Sequence, residues 1–246
     1  VSPNTVHPRD KATVLDVVRS LLFYVAFYPG TLVFIAATFV SLPFLSLALP
    51  RIGTSWSRYH RACARVLLGI RVVVEGEMPE GGVLVAIKHE SFFEAIDLPS
   101  QMKYPVPFPK AELMELPGWG WAARHYGAVA VQRGDGARAL RAMVASARGF
   151  AAQDRPLAIF PEGTRVPTGE RPPLQSGFAG LYKLLGLPVV PVAVNSGRLY
   201  HRRWKKPGVI TLRVGERIEP GLPRDAVEAQ VHAAINVLNE ASTNSA

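Results

Sequence analysis

Short apolar runs rich in β-branched side chains recur along the chain after Arg51, at residues 72–74, 83–87, 128–131, 157–160, 189–194 and 209–214. Between several of them the apolar positions switch to helical spacing. Residues 136–152 place Leu140, Val144, Ala147 and Phe150 on one side and arginines elsewhere. Residues 177–185 form a second helical stretch that stops at Gly186, a residue suited to a left-handed C-terminal cap. Residues 224–240 form a third, with Val227, Val231, Ala234, Ile235 and Leu238 in register. Strands separated by helices of this length require crossover connections, so the pattern predicts an α/β fold: a mostly parallel β-sheet flanked by helices. Pro191 interrupts the run 189–194, which points to an edge, a bulge or the wall of a site.

The first fifth of the chain has a different texture. From Ser20 to Pro50 there is no charged residue. A spanning helix needs ~20 apolar residues, so this stretch is long enough to enter a bilayer. Pro29-Gly30 interrupts it, which predicts two helical pieces, 12–28 and 31–49, with a turn between them. Arg9, Lys11 and Arg19 precede the stretch, and Arg51, Arg58, Arg61 and Arg65 follow it. Positive flanks on both sides favour a hairpin whose two ends stay on the cytoplasmic face of the inner membrane. The alternative is a hairpin buried in a soluble core. The stretch is too long for a signal peptide and lacks a small-residue cleavage site. The expected organisation is a membrane-associated helical hairpin at residues 1–52 and an α/β domain at 53–246.

Composition narrows the partners. Lys and Arg number 28 against 19 Asp and Glu, a net charge of +9, which favours anionic ligands. A single cysteine, Cys63, excludes an intrachain disulfide framework and a thiolate metal cluster. Arg202, Arg203, Lys205 and Lys206 surround Trp204, a cluster that suits nucleic acid or anionic lipid. Beside an apolar N-terminus the lipid reading fits better, and no nucleic-acid partner is expected.

Candidate chemistry gathers in loops that follow strands, where an open α/β sheet presents its functional groups. His89 directly follows the run 83–87, and Glu94 lies five residues on. Five residues of regular helix turn ~500°, so the two side chains share no helical face. They meet only if His89 sits on the loop and Glu94 in the first turn of the next helix. That arrangement suits a base and its orienting carboxylate. The structural alternative is a surface histidine near a glutamate favoured by the helix dipole. A metal site from His89, Glu90 and Glu94 lacks the two-histidine helical spacing. A second loop, Phe160-Pro161-Glu162-Gly163-Thr164-Arg165, offers a glycine for close backbone approach, a hydroxyl and a guanidinium that matches phosphate. A third element, Gly127 to Arg133, reads as a strand ending in arginine.

Taken in order, His89 to Glu94, Gly127 to Arg133, Phe160 to Arg165 and the proline-bearing strand at 189–194 resemble the four motif blocks of the glycerolipid acyltransferase superfamily, specifically the bacterial 1-acyl-glycerol-3-phosphate acyltransferases. Glutamate stands at position 94 where that family's first block carries aspartate. The resemblance implies transfer of a fatty acyl group from a thioester to the sn-2 hydroxyl of lysophosphatidic acid, giving phosphatidic acid in phospholipid biosynthesis. By that resemblance His89 is the general base and Glu94 its orienter. Arg133, Glu162, Gly163, Thr164 and Arg165 bind the glycerol-phosphate end, and Lys110 reaches the phosphate. No cofactor or metal is implied; acyl-CoA or acyl carrier protein is the co-substrate. Cys63 and Ser91 are structural in this reading, Ser91 as a helix cap. The alternatives are a thioesterase using the same dyad, an acyltransferase for another lysolipid, and a basic membrane- or nucleic-acid-binding module.

Overall fold

The computed structural model describes residues 11–41, 45–131 and 136–241. Its N-terminal helix α1 spans Val14–Val40 and begins with a reciprocal cap: Thr13 Oγ1 accepts from the Asp16 amide, and the Asp16 carboxylate accepts from the Thr13 amide. The helix runs through Pro29-Gly30 without the expected turn. Gly30 serves another purpose. A Cβ there would lie 2.5 Å from the Tyr59 ring of the next helix, so the glycine permits close helix–helix approach. Tyr59 Oη also donates to the Ala26 carbonyl at 2.8 Å, beside the proline-interrupted turn of the ladder. The second helix, α2, spans Leu45–Leu68, continues through Pro50, and crosses the expected boundary between residues 52 and 53. The connection between the two helices falls at residues 42–44, outside the described residues.

Helix α1 has two unlike faces. Ser20, Phe23 and Phe27 are buried, while Val14, Leu15, Leu22, Val25, Leu32 and Val33 are more than half exposed. The buried stripe enters the main core: Phe23 and Phe27 cluster with Ala64 and Leu68 of α2 and with strand residues. The hairpin is therefore seated on the α/β body and does not hang from it. Among the described helices, α1 alone is long and apolar enough to cross a membrane.

The sheet holds β1 (Ile70–Glu75), β2 (Leu84–Ile87), β3 (Val106–Pro107), β4 (Leu157–Ile159), β5 (Val189–Val194) and β6 (Gly208–Val214) in the order β1-β6-β5-β2-β4-β3. All neighbours are parallel except β5 and β6. Strand β2 is central and buried throughout. Its alternation feeds two cores: Val85 and Ile87 face the layer containing α1 and α2, and Leu84 and Ala86 face the layer of α5 (Gly136–Ala151), α6 (Ser176–Leu185) and α8 (Arg224–Ile235). Burial on both faces is why the run reads as continuously apolar. From β2 the chain passes through α3 (Phe93–Gln101) to one side of the sheet, whereas β4 connects through α6 to β5 on the other; α4 (Trp119–Tyr126) follows β3, and the short α7 (Gly197–Tyr200) follows β5. The crevice at this change of direction is where ligands enter such sheets.

One strand expectation changes, and the one for Pro191 narrows to the bulge among its three alternatives. Residues 128–131 form no regular strand, although Val129 and Val131 donate to the carbonyls of Pro107 and Pro109. The neighbouring segment carries prolines at alternate positions (105, 107 and 109), which accept but cannot return a bond, so pairing reduces to a bridge between Lys110 and Val131. Pro191 lies in a central strand, not an edge. The ladder to β6 ends at Val192 opposite Val214 and resumes at Val189 opposite Ile218, one residue longer on the far side. Pro191 sits at that bulge, where no amide donor is required. Gly186 caps α6 in the left-handed region, as its position suggested. The predicted helix 224–240 is broken at Asn236 into α8 and α9 (Val237–Ala241).

Candidate active site

Three parallel strands, β2, β4 and β5, end side by side, and each delivers one part of the site. After β2 the chain places His89 on the loop and Glu94 in the first turn of α3, the only geometry in which the two can meet. His89 Nδ1 lies 3.1 Å from Glu94 Oε1. The same oxygen accepts the amides of Glu90 and Ser91, both at 2.6 Å. Glu94 Oε2 accepts from the hydroxyls of Ser91 at 3.0 Å and Ser196 at 2.6 Å. Ser91 Oγ also accepts the Phe93 amide at 3.0 Å, but it does so from one position ahead of the helix cap expected of it: Phe92 holds the cap position, with no side-chain bond.

Burial alone would raise the Glu94 carboxyl. The bond from His89 and its charge, with the bonds from Ser196 and Ser91, outweigh burial and hold the group below the usual carboxylate range. An ionised Glu94 can only accept, so in the neutral imidazole the proton sits on Nδ1 and Nε2 carries the lone pair. That is the tautomer a general base needs. The nearby Asp97 is committed elsewhere, held by Arg61 through bonds of 2.9 and 2.6 Å and by Gln101 at 2.6 Å.

The loop after β4 grips the histidine's backbone. Glu162 Oε2 accepts the His89 amide at 3.1 Å, and the His89 carbonyl accepts the Val166 amide at 2.7 Å. The Phe160 ring stacks on the imidazole with centroids 4.1 Å apart. Gly163 adopts φ +69°, a left-handed conformation that lets the loop turn back with its amide on the Phe160 carbonyl. Glu162 itself is buried, and its Oε1 takes the ammonium of the fully buried Lys88 at 2.6 Å. Thr164 and Arg165 are exposed, and the Arg165 guanidinium lies 4.0 Å over the Phe92 ring. Arg165 and Phe92 line a groove of about 300 Å³ together with Tyr200, His201, Arg202, Arg203 and Lys205. Lys110 is exposed, beside Val131 past the end of β3. Arg133 lies outside the described residues. The structure thus gathers His89, Glu94 and the 162–165 loop, and leaves Lys110 on a neighbouring segment.

Sequence reasoning missed Ser196, which follows β5 and braces Glu94, and weighed Glu90, whose carboxylate is buried, only as a metal ligand. A polar residue just after an apolar strand was the available signal for Ser196. Glu90 Oε2 accepts from Thr168 Oγ1 at 2.9 Å and the Gly197 amide at 2.8 Å, while Oε1 is buried with no hydrogen-bond partner. Burial, aided by the Glu94 charge and opposed by those two bonds and by Lys88, pushes this carboxyl up to about 7. A carboxyl raised above its unfolded value of about 4.3 contributes stability below that value and loses it as pH rises through the folded value. Between pH 5 and 8 the wild-type protein should therefore lose about 2 kcal/mol of unfolding free energy that Glu90→Gln retains. Denaturant titrations of both proteins at the two pH values check this; parallel pH dependence would contradict it.

The sequence profile of the acyltransferase family matches residues 69–195, which hold His89, Glu94, Lys110 and the loop from Phe160 to Arg165, while Ser196 and the groove's Arg202, Arg203 and Lys205 lie just beyond its end. The chain is 31% identical over 212 residues to a 1-acyl-sn-glycerol-3-phosphate acyltransferase of Pseudomonas aeruginosa, covering 82% of this chain and 81% of that protein. It is 28% identical over 239 residues to 1-acyl-sn-glycerol-3-phosphate acyltransferase alpha of Mus musculus, covering 90% and 82%. The crystal structure of the 1-acyl-sn-glycerophosphate acyltransferase PlsC from Thermotoga maritima shares the fold, with a TM-score of 0.72 at 21% identity over 93% of this chain and 98% of that one. A profile match across more than half of the chain, and a relative of this identity along most of both sequences, account for the dyad and the loop that clamps it: the chain belongs to the acyltransferase family, among the 1-acyl-sn-glycerol-3-phosphate acyltransferases.

Proposed function

We propose that this acyltransferase moves a fatty acyl group from a thioester to the sn-2 hydroxyl of lysophosphatidic acid, producing phosphatidic acid at the cytoplasmic face of the inner membrane. The observation that carries the reading is the oriented His89–Glu94 pair, with its base nitrogen unencumbered and an exposed arginine on the adjoining loop. His89 Nε2 takes the proton of the acceptor hydroxyl as the oxygen attacks the thioester carbonyl. Glu94 stabilises the imidazolium that forms. The tetrahedral intermediate collapses by expelling the thiolate, and the imidazolium returns its proton to the leaving sulfur. Coenzyme A and acyl carrier protein both present such a thioester. No covalent acyl-enzyme is needed, which agrees with the structural engagement of Ser91 and the burial of Cys63.

Arg165 and Thr164 face solvent and supply donors for the acceptor phosphate, with Lys110 on the neighbouring segment as a further cation and Arg133 assigned the same role from its motif alone. Gly163 lets the backbone approach it. Glu162 serves the phosphate loop indirectly, because both its oxygens are spent on Lys88 and the His89 amide. The exposed apolar face of α1 sits in lipid and brings the site to a membrane-embedded acceptor. Arg165→Ala should raise KM for lysophosphatidic acid about 10–100-fold, the equivalent of one charge-assisted hydrogen bond, with little change in KM for the thioester. Initial rates with each substrate varied in turn make the test. Equal rises for both would mean that Arg165 shapes the loop and does not hold the phosphate.

A further inference from the structure

The residues that hold His89 in place do not end within the stretch the family profile covers. Beyond β2 the side-chain alternation continues for one more turn of the pleat: Lys88 follows Leu84 and Ala86 toward the α8 layer, and His89 follows Val85 and Ile87 toward the α2 and α3 layer. Lys88 is fully buried, and all three protons of its ammonium are placed: Glu162 Oε1 at 2.6 Å, Asn236 Oδ1 at 2.9 Å and the Glu170 carbonyl at 3.0 Å. Asn236 is itself buried, at the break between α8 and α9, and its Nδ2 is fixed on the His232 carbonyl at 2.8 Å. Asn239 Nδ2 braces Asn236 Oδ1 at 3.1 Å, and Asn239 Oδ1 reaches the Gly169 amide at 3.3 Å. A C-terminal helix junction thus meets the catalytic loops through one ammonium.

We propose that Lys88 and Asn236 are positioning residues for His89, acting through Glu162. The relay is direct. Asn236 sets where the ammonium sits, the ammonium fixes Glu162 Oε1, and Glu162 Oε2 holds the His89 amide. A buried charge pair keeps one geometry only when its remaining donors and acceptors are satisfied, and Asn236 satisfies the lysine. With that acceptor removed, Lys88 shifts, Glu162 follows, and the imidazole loses alignment with both Glu94 and the acceptor hydroxyl. A displacement of this size is felt in the rate of the chemical step far more than in substrate affinity. The inference deepens the reading of His89 as the base and rests on it.

The test uses full-length protein in detergent, with lysophosphatidic acid and an acyl thioester as substrates. Asn236→Leu should lower kcat at least tenfold, with KM for both substrates within twofold of wild type, at a temperature where its melting curve shows it folded. Asn236→Asp, which keeps an acceptor oxygen for Lys88, should restore kcat to within threefold. If Asn236→Leu does not fold, the neutral pair Lys88→Met with Glu162→Gln provides the second route. It leaves an acceptor for the His89 amide but nothing to grip it, and should show the same loss in kcat alone. A wild-type kcat in Asn236→Leu or in the neutral pair would overturn the positioning assignment, as would failure of Asn236→Asp to restore turnover. Unchanged turnover in His89→Ala would instead overturn the base reading beneath it.

Discussion

His89→Ala should abolish measurable acyl transfer while leaving a folded protein. A positioned general base typically contributes ~10²–10⁴-fold in rate, and removing its side chain forfeits that factor. The loss to stability is small by comparison, because the ring is partly exposed at the end of the strand, where it stacks on Phe160. Glu94→Gln is the more discriminating variant. Glu94 Oε1 faces three donors and must remain an oxygen, whereas Oε2 faces two hydroxyls, which can rotate to accept from an amide nitrogen. Glutamine therefore fits the site and loses only the charge. We expect kcat to fall about 10²-fold with acceptor KM nearly unchanged. Glu94→Asp keeps the charge at shorter reach and should retain partial activity. Asp97→Asn weakens the hold on Arg61 and should cost stability, not turnover. An inactive but folded Asp97→Asn beside an active Glu94→Gln would remove the dyad from the account.

The second large effect is expected at Phe23. Its ring is 1% exposed, stacks on Phe27 at 5.4 Å and meets the edges of His60 and Tyr200 at 5.9 and 6.1 Å. Truncating a buried phenylalanine to alanine costs about 3–5 kcal/mol through lost transfer energy and the cavity left behind. Phe23→Ala should therefore destabilise the whole protein in detergent, and with it the loop that follows Tyr200. On the opposite face, Leu22→Asp and Val25→Asp replace side chains that are 54% and 72% exposed. These should leave unfolding in detergent within about 0.5 kcal/mol of wild type, the usual range for surface positions, yet weaken binding to phospholipid vesicles. Unfolding titrations and vesicle flotation on the three variants separate the two faces. A silent Phe23→Ala would mean that α1 is a detachable anchor.

Local signals in the chain account for much of this architecture. The helical spacing of Leu140, Val144 and Ala147, the cap at Gly186 and the apolar run of β5 each predicted an element where one is found. The spacing of His89 and Glu94 set the condition on which they could meet, one on the loop and the other in the first helical turn, and the structure fulfils it. The failures share a physical cause. Pro29-Gly30 reads as a turn because both residues usually make one, but here the glycine serves Tyr59, a partner 29 positions away. Residues 128–131 read as a strand because their own composition favours it, while the prolines that thin its ladder belong to another segment. Asn236 was invisible for the same reason, and Ser196 was marked only by its place just after an apolar strand. A polar side chain that reaches a site from 100 residues away leaves no periodicity to detect, and only the packing of α8 against β2 shows where Lys88 points.

The most direct test supplies the purified protein with lysophosphatidic acid and a long-chain acyl thioester, carried in parallel on coenzyme A and on acyl carrier protein, and follows lipid products by mass spectrometry. The account predicts phosphatidic acid with the added chain at sn-2, formed with at least one carrier and lost in His89→Ala. Folded protein that yields only free fatty acid, or acylates other lysolipids but not lysophosphatidic acid across a range of chain lengths, would contradict it.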